Sequence, residues 1–211
     1  MGGQMPTVYN GNSINILKAG DILIADASST VSHCGLLVGE RSGRADYVIH
    51  AKASGMVIED PSQWGIKAQV FRGAGLTKVE ARSIEEIARK IVETAQYGKS
   101  RAIFGSWSAS SSYGTGARER LAKYRQRLTD HQGIVKNIYC SELVILSYQL
   151  GLGDENHRLF IKKDGKHTLP KTLRDYFRQN SDDWVEIGDY DAELSPKVGD
   201  GLICQAAAVA V

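Results

Sequence analysis

Cys140 stands in Asn137-Ile138-Tyr139-Cys140-Ser141-Glu142-Leu143-Val144, a turn-like lead into an apolar segment that runs to Leu150 and stops at Gly151. This pattern predicts that the thiol falls in the first turn of a helix. Backbone N–H groups there lack intrahelical acceptors, and with the positive end of the helix dipole they favour the thiolate, the reactive form of a cysteine. His33 and His50 lie on two short apolar runs far from Cys140 in the chain. One thiol and two imidazoles are the parts of a cysteine nucleophile, its base and a group that orients the base.

The histidine-bearing runs, Cys34 to Val38 and Tyr47 to Ala51, flank the glycine-containing stretch from Gly39 to Ala45, which predicts an antiparallel hairpin. A turn about Arg41-Ser42 sets His33 directly opposite His50, with Cβ atoms about 5 Å apart on one face. Alternation then sends Cys34 to the other face, which argues that it is the wrong thiol although it adjoins His33. Gly20-Asp21 is a turn signal before a strand from Ile22 to Ala25, with Asp21 read as a turn residue. Met56 to Ile58 and Gln69 to Phe71 extend the sheet, joined through Asp60 to Gly65.

Ser83-Ile84-Glu85-Glu86 matches a capping box, and Ile84, Ile87, Ala88, Ile91, Val92 and Ala95 follow at steps of three and four. The polar segment from Ala117 to Leu128 predicts an exposed helix. Pro170 to Gln179 predicts a helix with proline in its first turn, followed by a short strand from Trp184 to Ile187. The expected fold is α+β: a small curled antiparallel sheet packed against the Cys140 helix and the Ser83 helix. A length of 211 residues suits one domain, with an insertion or lid around residues 98–137. Within it, the Ser/Gly-rich stretch from Gly98 to Gly116 carries Phe104, Trp107 and Tyr113 and is expected to be a lid loop. Trp107 and Tyr113 are candidate substrate contacts, and Tyr139 either packs beside the nucleophile or helps to position substrate. Glu142 reads as a decoration of the first helical turn.

His131, His157 and His167 read as loop histidines. His33, His50 and Cys140 lack an evident fourth ligand for zinc, so neither a metal nor a cofactor is expected. Cys34, Cys140 and Cys204 are odd in number and widely spaced, which argues against a disulfide framework. Hydrophobic content of 42% and charged content of 24% describe a soluble globular chain. A net charge of +2 is too mild to imply nucleic acid, although ten Lys/Arg face five Asp/Glu between Arg82 and Asp130. The first ten residues have neither a basic start nor an apolar core, and no apolar run approaches about 18 residues. The expectation is a chain made in the cytoplasm without a signal peptide or transmembrane segment.

Four segments in order, Gly20-Asp21-Ile22-Leu23, Ser32-His33-Cys34-Gly35-Leu36-Leu37-Val38-Gly39, Val48-Ile49-His50-Ala51 and Tyr139-Cys140-Ser141-Glu142-Leu143-Val144, resemble the circularly permuted branch of the NlpC-like, papain-fold cysteine hydrolases. In that branch the cysteine helix follows the histidine strands, as here. The resemblance takes in roughly Gly20 to Phe71 and Tyr139 to Ile187, and none is found for Gly98 to Asn137. It implies Cys140 as nucleophile, His33 as base and His50 as the third, orienting residue. It also implies an amidase or peptidase whose substrate is bacterial cell-wall peptide. Without a signal peptide, such an enzyme suits a type VI secretion effector delivered to a target-cell periplasm, with secretion machinery and an immunity protein as partners. A lipid or acyl-chain hydrolase or acyltransferase of the same fold is the alternative enzyme, and a catalytically silent binding module is the non-enzymatic one.

Overall fold

Strands rich in β-branched and aliphatic residues build one antiparallel sheet in a computed structural model that describes residues 17–25, 33–52, 55–97, 110–130 and 137–191. The strands are β1 (Ile22–Ala25), β2 (His33–Val38), β3 (Tyr47–Lys52), β4 (Gly55–Glu59), β5 (Ala68–Gly73) and, after a pair of two-residue strands, β8 (Trp184–Tyr190). Their order is β4-β3-β2-β1-β5-β8, and every pairing is antiparallel. The short strands β6 (Gln96–Tyr97) and β7 (Asn137–Ile138) pair in parallel. Four α-helices accompany them among the described residues: α1 (Lys78–Thr94), α2 (Thr115–Thr129), α3 (Cys140–Leu152) and α4 (Pro170–Gln179). The class is α+β, with a curled sheet packed against helices.

Alternation along the strands sorts the apolar residues into two cores. Ile22, Ile24, Cys34, Leu36, Val38, Ile49, Ala51 and Phe71 join the residues of α1 and α3 in the larger one. Leu23, Leu37, Val48 and Val70 form the smaller one with Leu17, Trp64 and Tyr190. Helix α3 is predominantly apolar, as a helix buried on every side is, and Cys140 through Leu150 are all buried, Ser141, Glu142, Ser147 and Gln149 among them. Leu143, Val144 and Ile145 are fully buried, at roughly 1.5–3 kcal/mol each. That burial fixes the position of the helix start, and so of Cys140.

The turn of the β2–β3 hairpin is centred one residue later than Arg41-Ser42. Arg41 bridges to Arg44, and the two residues between them, Ser42 (φ 53) and Gly43 (φ 81), both have positive φ. Two-residue hairpin turns need such a conformation because it matches the twist of the strands, and glycine at the second position makes it cheap. The register shifts by two in consequence: Gly35, not His33, lies opposite His50.

Helix α1 begins at Lys78, five residues before Ser83. Thr77 and Glu80 form its capping box, Thr77 Oγ1 accepting from the Glu80 N–H and Glu80 Oε2 accepting from the Thr77 N–H. The same Thr/Ser-x-x-Glu pattern occurs at both places, and the earlier one wins because the turn after Gly73 leads straight into it. Helix α3 continues through Gly151 to an αL cap at Gly153 (φ 74). Gly151 marks a close crossing: a Cβ there would lie 2.7 Å from Ile84 Cα and 2.8 Å from Ile84 N in α1.

Helix α2 covers the predicted Ala117–Leu128 segment and extends it at both ends, and α4 and β8 lie where proline and Trp184 suggested. The expected lid loop is shortened at its far end, since Ser112 bridges to Lys163 and α2 begins at Thr115. Phe104, Trp107, His131 and Cys204 lie outside the described residues.

Candidate active site

Cys140 is the first residue of α3. The preceding Tyr139 is extended (φ −121, ψ 174) and caps the helix with no side-chain hydrogen bond. The first helical bond runs from the Leu143 N–H to the Tyr139 carbonyl, so the N–H groups of Cys140, Ser141 and Glu142 have no intrahelical acceptor. These donors and the helix dipole surround the thiol with partial positive charge.

His33 opens β2, and His50 lies within β3 on the same face. Although the register makes them diagonal neighbours, their rings meet: His33 Nε2 is 2.7 Å from His50 Nδ1. On its other side, His50 Nε2 is 2.8 Å from Glu59 Oε1, and Lys52 Nζ donates to Glu59 Oε2 at 2.6 Å. A carboxylate only accepts, so the proton of neutral His50 sits on Nε2 and its Nδ1 is the acceptor. His33 Nε2–H must then donate to it, which leaves Nδ1 of His33 as the nitrogen available to the thiol. Burial pushes His50 down to about 4, against the pull of Glu59 in the other direction. His50 is therefore neutral at neutral pH and keeps its acceptor facing His33.

Trp64, 4% exposed, lies beneath both imidazoles. Its ring stacks on His33 with centroids 5.0 Å apart and planes inclined by 17°, and sits 4.9 Å from His50. Gly35 makes room for it, because a Cβ at that position would come within 2.7 Å of Trp64 Cζ3 and 3.2 Å of His50 Cβ.

Cys34 does lie on the face away from His33, but that face is the one α3 covers. Its thiol hydrogen-bonds the Cys140 sulfur, the first of the influences that hold Cys140 well below the ordinary cysteine value. Burial of Cys140 opposes this, and the hydrogen bond and charge of His33 reinforce it. Cys34 itself is driven well above the ordinary value, first by burial and then by Cys140. The helix start and His33 act only on Cys140, so Cys140 is the thiolate of the pair and Cys34 its protonated donor. Cys34 thus keeps to the face away from His33 and is not the nucleophile, but it lies beside the nucleophile, which alternation alone does not reveal.

The structure brings Cys140, His33 and His50 together. Tyr139 is 2% exposed and donates its hydroxyl to the Gly165 carbonyl at 2.7 Å, which ties the segment Gly165–His167 to the start of α3. Tyr113 is held against Phe160, and its hydroxyl donates to Glu155 at 2.8 Å. Glu142 is not a surface decoration: it is fully buried, and a Cβ at Gly165 would meet its Cγ at 3.4 Å. Asp21 is more than a turn residue, since it is 1% exposed and accepts from Arg72 Nε at 2.7 Å, Arg72 Nη2 at 2.6 Å and the Lys18 N–H at 2.8 Å. His157 pairs with Glu80 at 2.9 Å, and His167 Nε2 lies 3.9 Å from Asp164.

Sequence reasoning missed Glu59, Trp64 and the contact between the two thiols. Glu59 was recoverable in part: a tight link between Lys52 and Gly55 pairs His50 with Val57 and puts Glu59, two residues on, on the histidine face. Among the described residues no group of three or more His, Cys, Asp or Glu is arranged to hold a metal ion. No described helix is long and apolar enough to cross a membrane. No family model, curated protein or solved structure matches the chain.

Proposed function

We propose that the chain is a cysteine hydrolase that cleaves an amide bond through a covalent acyl-enzyme, with cell-wall peptide as substrate. One observation carries the chemistry: a hydrogen-bonded line from Glu59 through His50 to His33 ends at a low-pKa thiol on the uncapped start of a buried helix. The choice of substrate rests on the likeness of the motifs around His33, His50 and Cys140 to the permuted NlpC-like hydrolases.

In this reading His33 Nδ1 takes the thiol proton, and the resulting imidazolium is steadied by its Nε2–H bond to neutral His50. The Cys140 thiolate attacks the carbonyl carbon, and backbone N–H groups of the first turn of α3 receive the developing oxyanion. Such a donor is worth about 10²–10³ in rate. His33 then protonates the leaving amine, the C–N bond breaks and a thioester remains on Cys140. A water molecule, deprotonated by His33, attacks that thioester, the C–S bond breaks and the carboxylic acid departs. Glu59 acts at one remove by holding the His50 tautomer, and Lys52 balances its charge.

The test is incubation with purified peptidoglycan and, separately, with acyl lipids, reading products by mass spectrometry. Peptide fragments are expected from the first and nothing from the second, and Cys140→Ala should abolish release while leaving the far-ultraviolet dichroism unchanged. Release of fatty acid alone would transfer the reading to an acyl-lipid hydrolase. Full activity in the Cys140→Ala protein would refute cysteine catalysis outright.

A further inference from the structure

We propose that Cys34 and Cys140 form an oxidative modification site, in which Cys34 resolves a sulfenic acid on Cys140 and closes a reversible disulfide across the interface of β2 and α3. In the cysteine-hydrolase mechanism Cys34 lends a hydrogen bond to the Cys140 thiolate but takes no part in any bond made or broken. Alternation in β2 needs only a small apolar residue at position 34, packed with Leu36 and Val38 against α3. A thiol facing the helix that carries the nucleophile supplies more than packing. Both cysteines are free and buried in the same apolar cluster, Cys34 on the face of β2 that α3 covers and Cys140 at the first position of α3, and each shifts the titration of the other.

The chemistry follows from that placement. The Cys140 thiolate attacks one oxygen of a peroxide, the O–O bond breaks, and sulfur is oxidised by two electrons while the peroxide is reduced to water or an alcohol. Cys140 then carries an S–OH group. The Cys34 sulfur attacks the Cys140 sulfur, the S–O bond breaks, and the hydroxyl leaves with the Cys34 proton as water. A sulfenic acid with a thiol at hand condenses to a disulfide, whereas one without a partner proceeds to the irreversible sulfinic acid. Exposure of 6% at Cys140 and 0% at Cys34 restricts the oxidant to a small molecule such as hydrogen peroxide. The bridge ties up the nucleophile and removes its hydrogen-bond donor in one step, and a dithiol reverses it by exchange.

The intact protein is treated with a severalfold molar excess of hydrogen peroxide, its remaining thiols are alkylated in denaturant, and the digest is mapped without reductant. The expected product is a peptide pair joined through Cys34 and Cys140, lighter by two hydrogens than the separate peptides. It should vanish on treatment with dithiothreitol, with alkylation of native Cys140 restored. In Cys34→Ser the same treatment should leave Cys140 as a sulfinic acid that dithiothreitol does not recover. Wild-type protein that accumulates Cys140 sulfinic acid while Cys34 stays alkylatable would overturn the proposal, as would a bridge formed to Cys204 in place of either partner. The wild-type map decides the matter even if Cys34→Ser does not fold. Its readout is covalent, so it stands or falls separately from hydrolase activity.

Discussion

The depressed pKa of His50 makes a quantitative demand on stability. Between an ordinary value of 6.5 and a folded value of about 4, the unfolded chain takes up a proton at this side chain and the folded protein does not. Stability therefore rises with pH wherever the unfolded state binds more protons. Above 6.5 the group is neutral in both states and adds no slope. As pH falls from 6.5 towards 4 stability is lost, and below 4 the loss is complete. At 1.36 kcal/mol per pKa unit the gap amounts to about 3 kcal/mol, a large share of the 5–15 kcal/mol that holds a typical domain. The perturbation is His50→Gln, whose carbonyl still accepts from His33 Nε2–H and which does not titrate. Urea unfolding of both proteins at intervals from pH 8 to pH 4 gives two stability curves. Their difference cancels the titration of distant groups such as Asp21. The wild type should lose about 3 kcal/mol more than the variant over that range, so the cost of the substitution shrinks or reverses in acid. Curves that run parallel from pH 8 to pH 4 would refute the claim that His50 is held neutral, and with it the tautomer that leaves His33 Nδ1 free as the base.

Replacing His33 by alanine should cost about 10²–10⁴ in the rate of product release, the worth of proton transfer, and His50→Gln should cost less; rates in the opposite order would exchange the two roles. Glu59→Gln should lower kcat on the order of tenfold with KM little changed, as loss of an outer orienting partner does, and an unaltered kcat would make Glu59 purely structural. Gly151→Ala should destabilise by about 1–3 kcal/mol through overpacking, because the new methyl meets the backbone of Ile84 at 2.7 Å; a melting temperature equal to wild type would show that α1 shifts freely.

Local signals in the sequence were sufficient for the elements that carry chemistry. The predominantly apolar segment after Tyr139-Cys140, too long for one strand, marks a buried helix, and proline at its start defines α4. These patterns are legible because backbone geometry and capping act between residues a few positions apart. Rival local signals were harder to rank: Thr77-x-x-Glu80 and Ser83-x-x-Glu86 are equivalent as text, and only the path of the chain out of β5 selects the first. Likewise Ser42-Gly43 outcompetes Arg41-Ser42 for the hairpin turn because both central residues must take positive φ, and that single step moves His33 from opposite His50 to diagonal from it. The alternation of β2 told which face Cys34 occupies but not that α3 covers that face, so two thiols 106 positions apart met unannounced. Glu59 joined the histidines for the same reason: the reach of Glu59 to His50 depends on strand register and on the burial that Trp64 imposes. A one-dimensional pattern assigns residues to faces, whereas contact between faces is set by long-range packing, where buried polar groups must find one another to recover the hydrogen bonds lost from water.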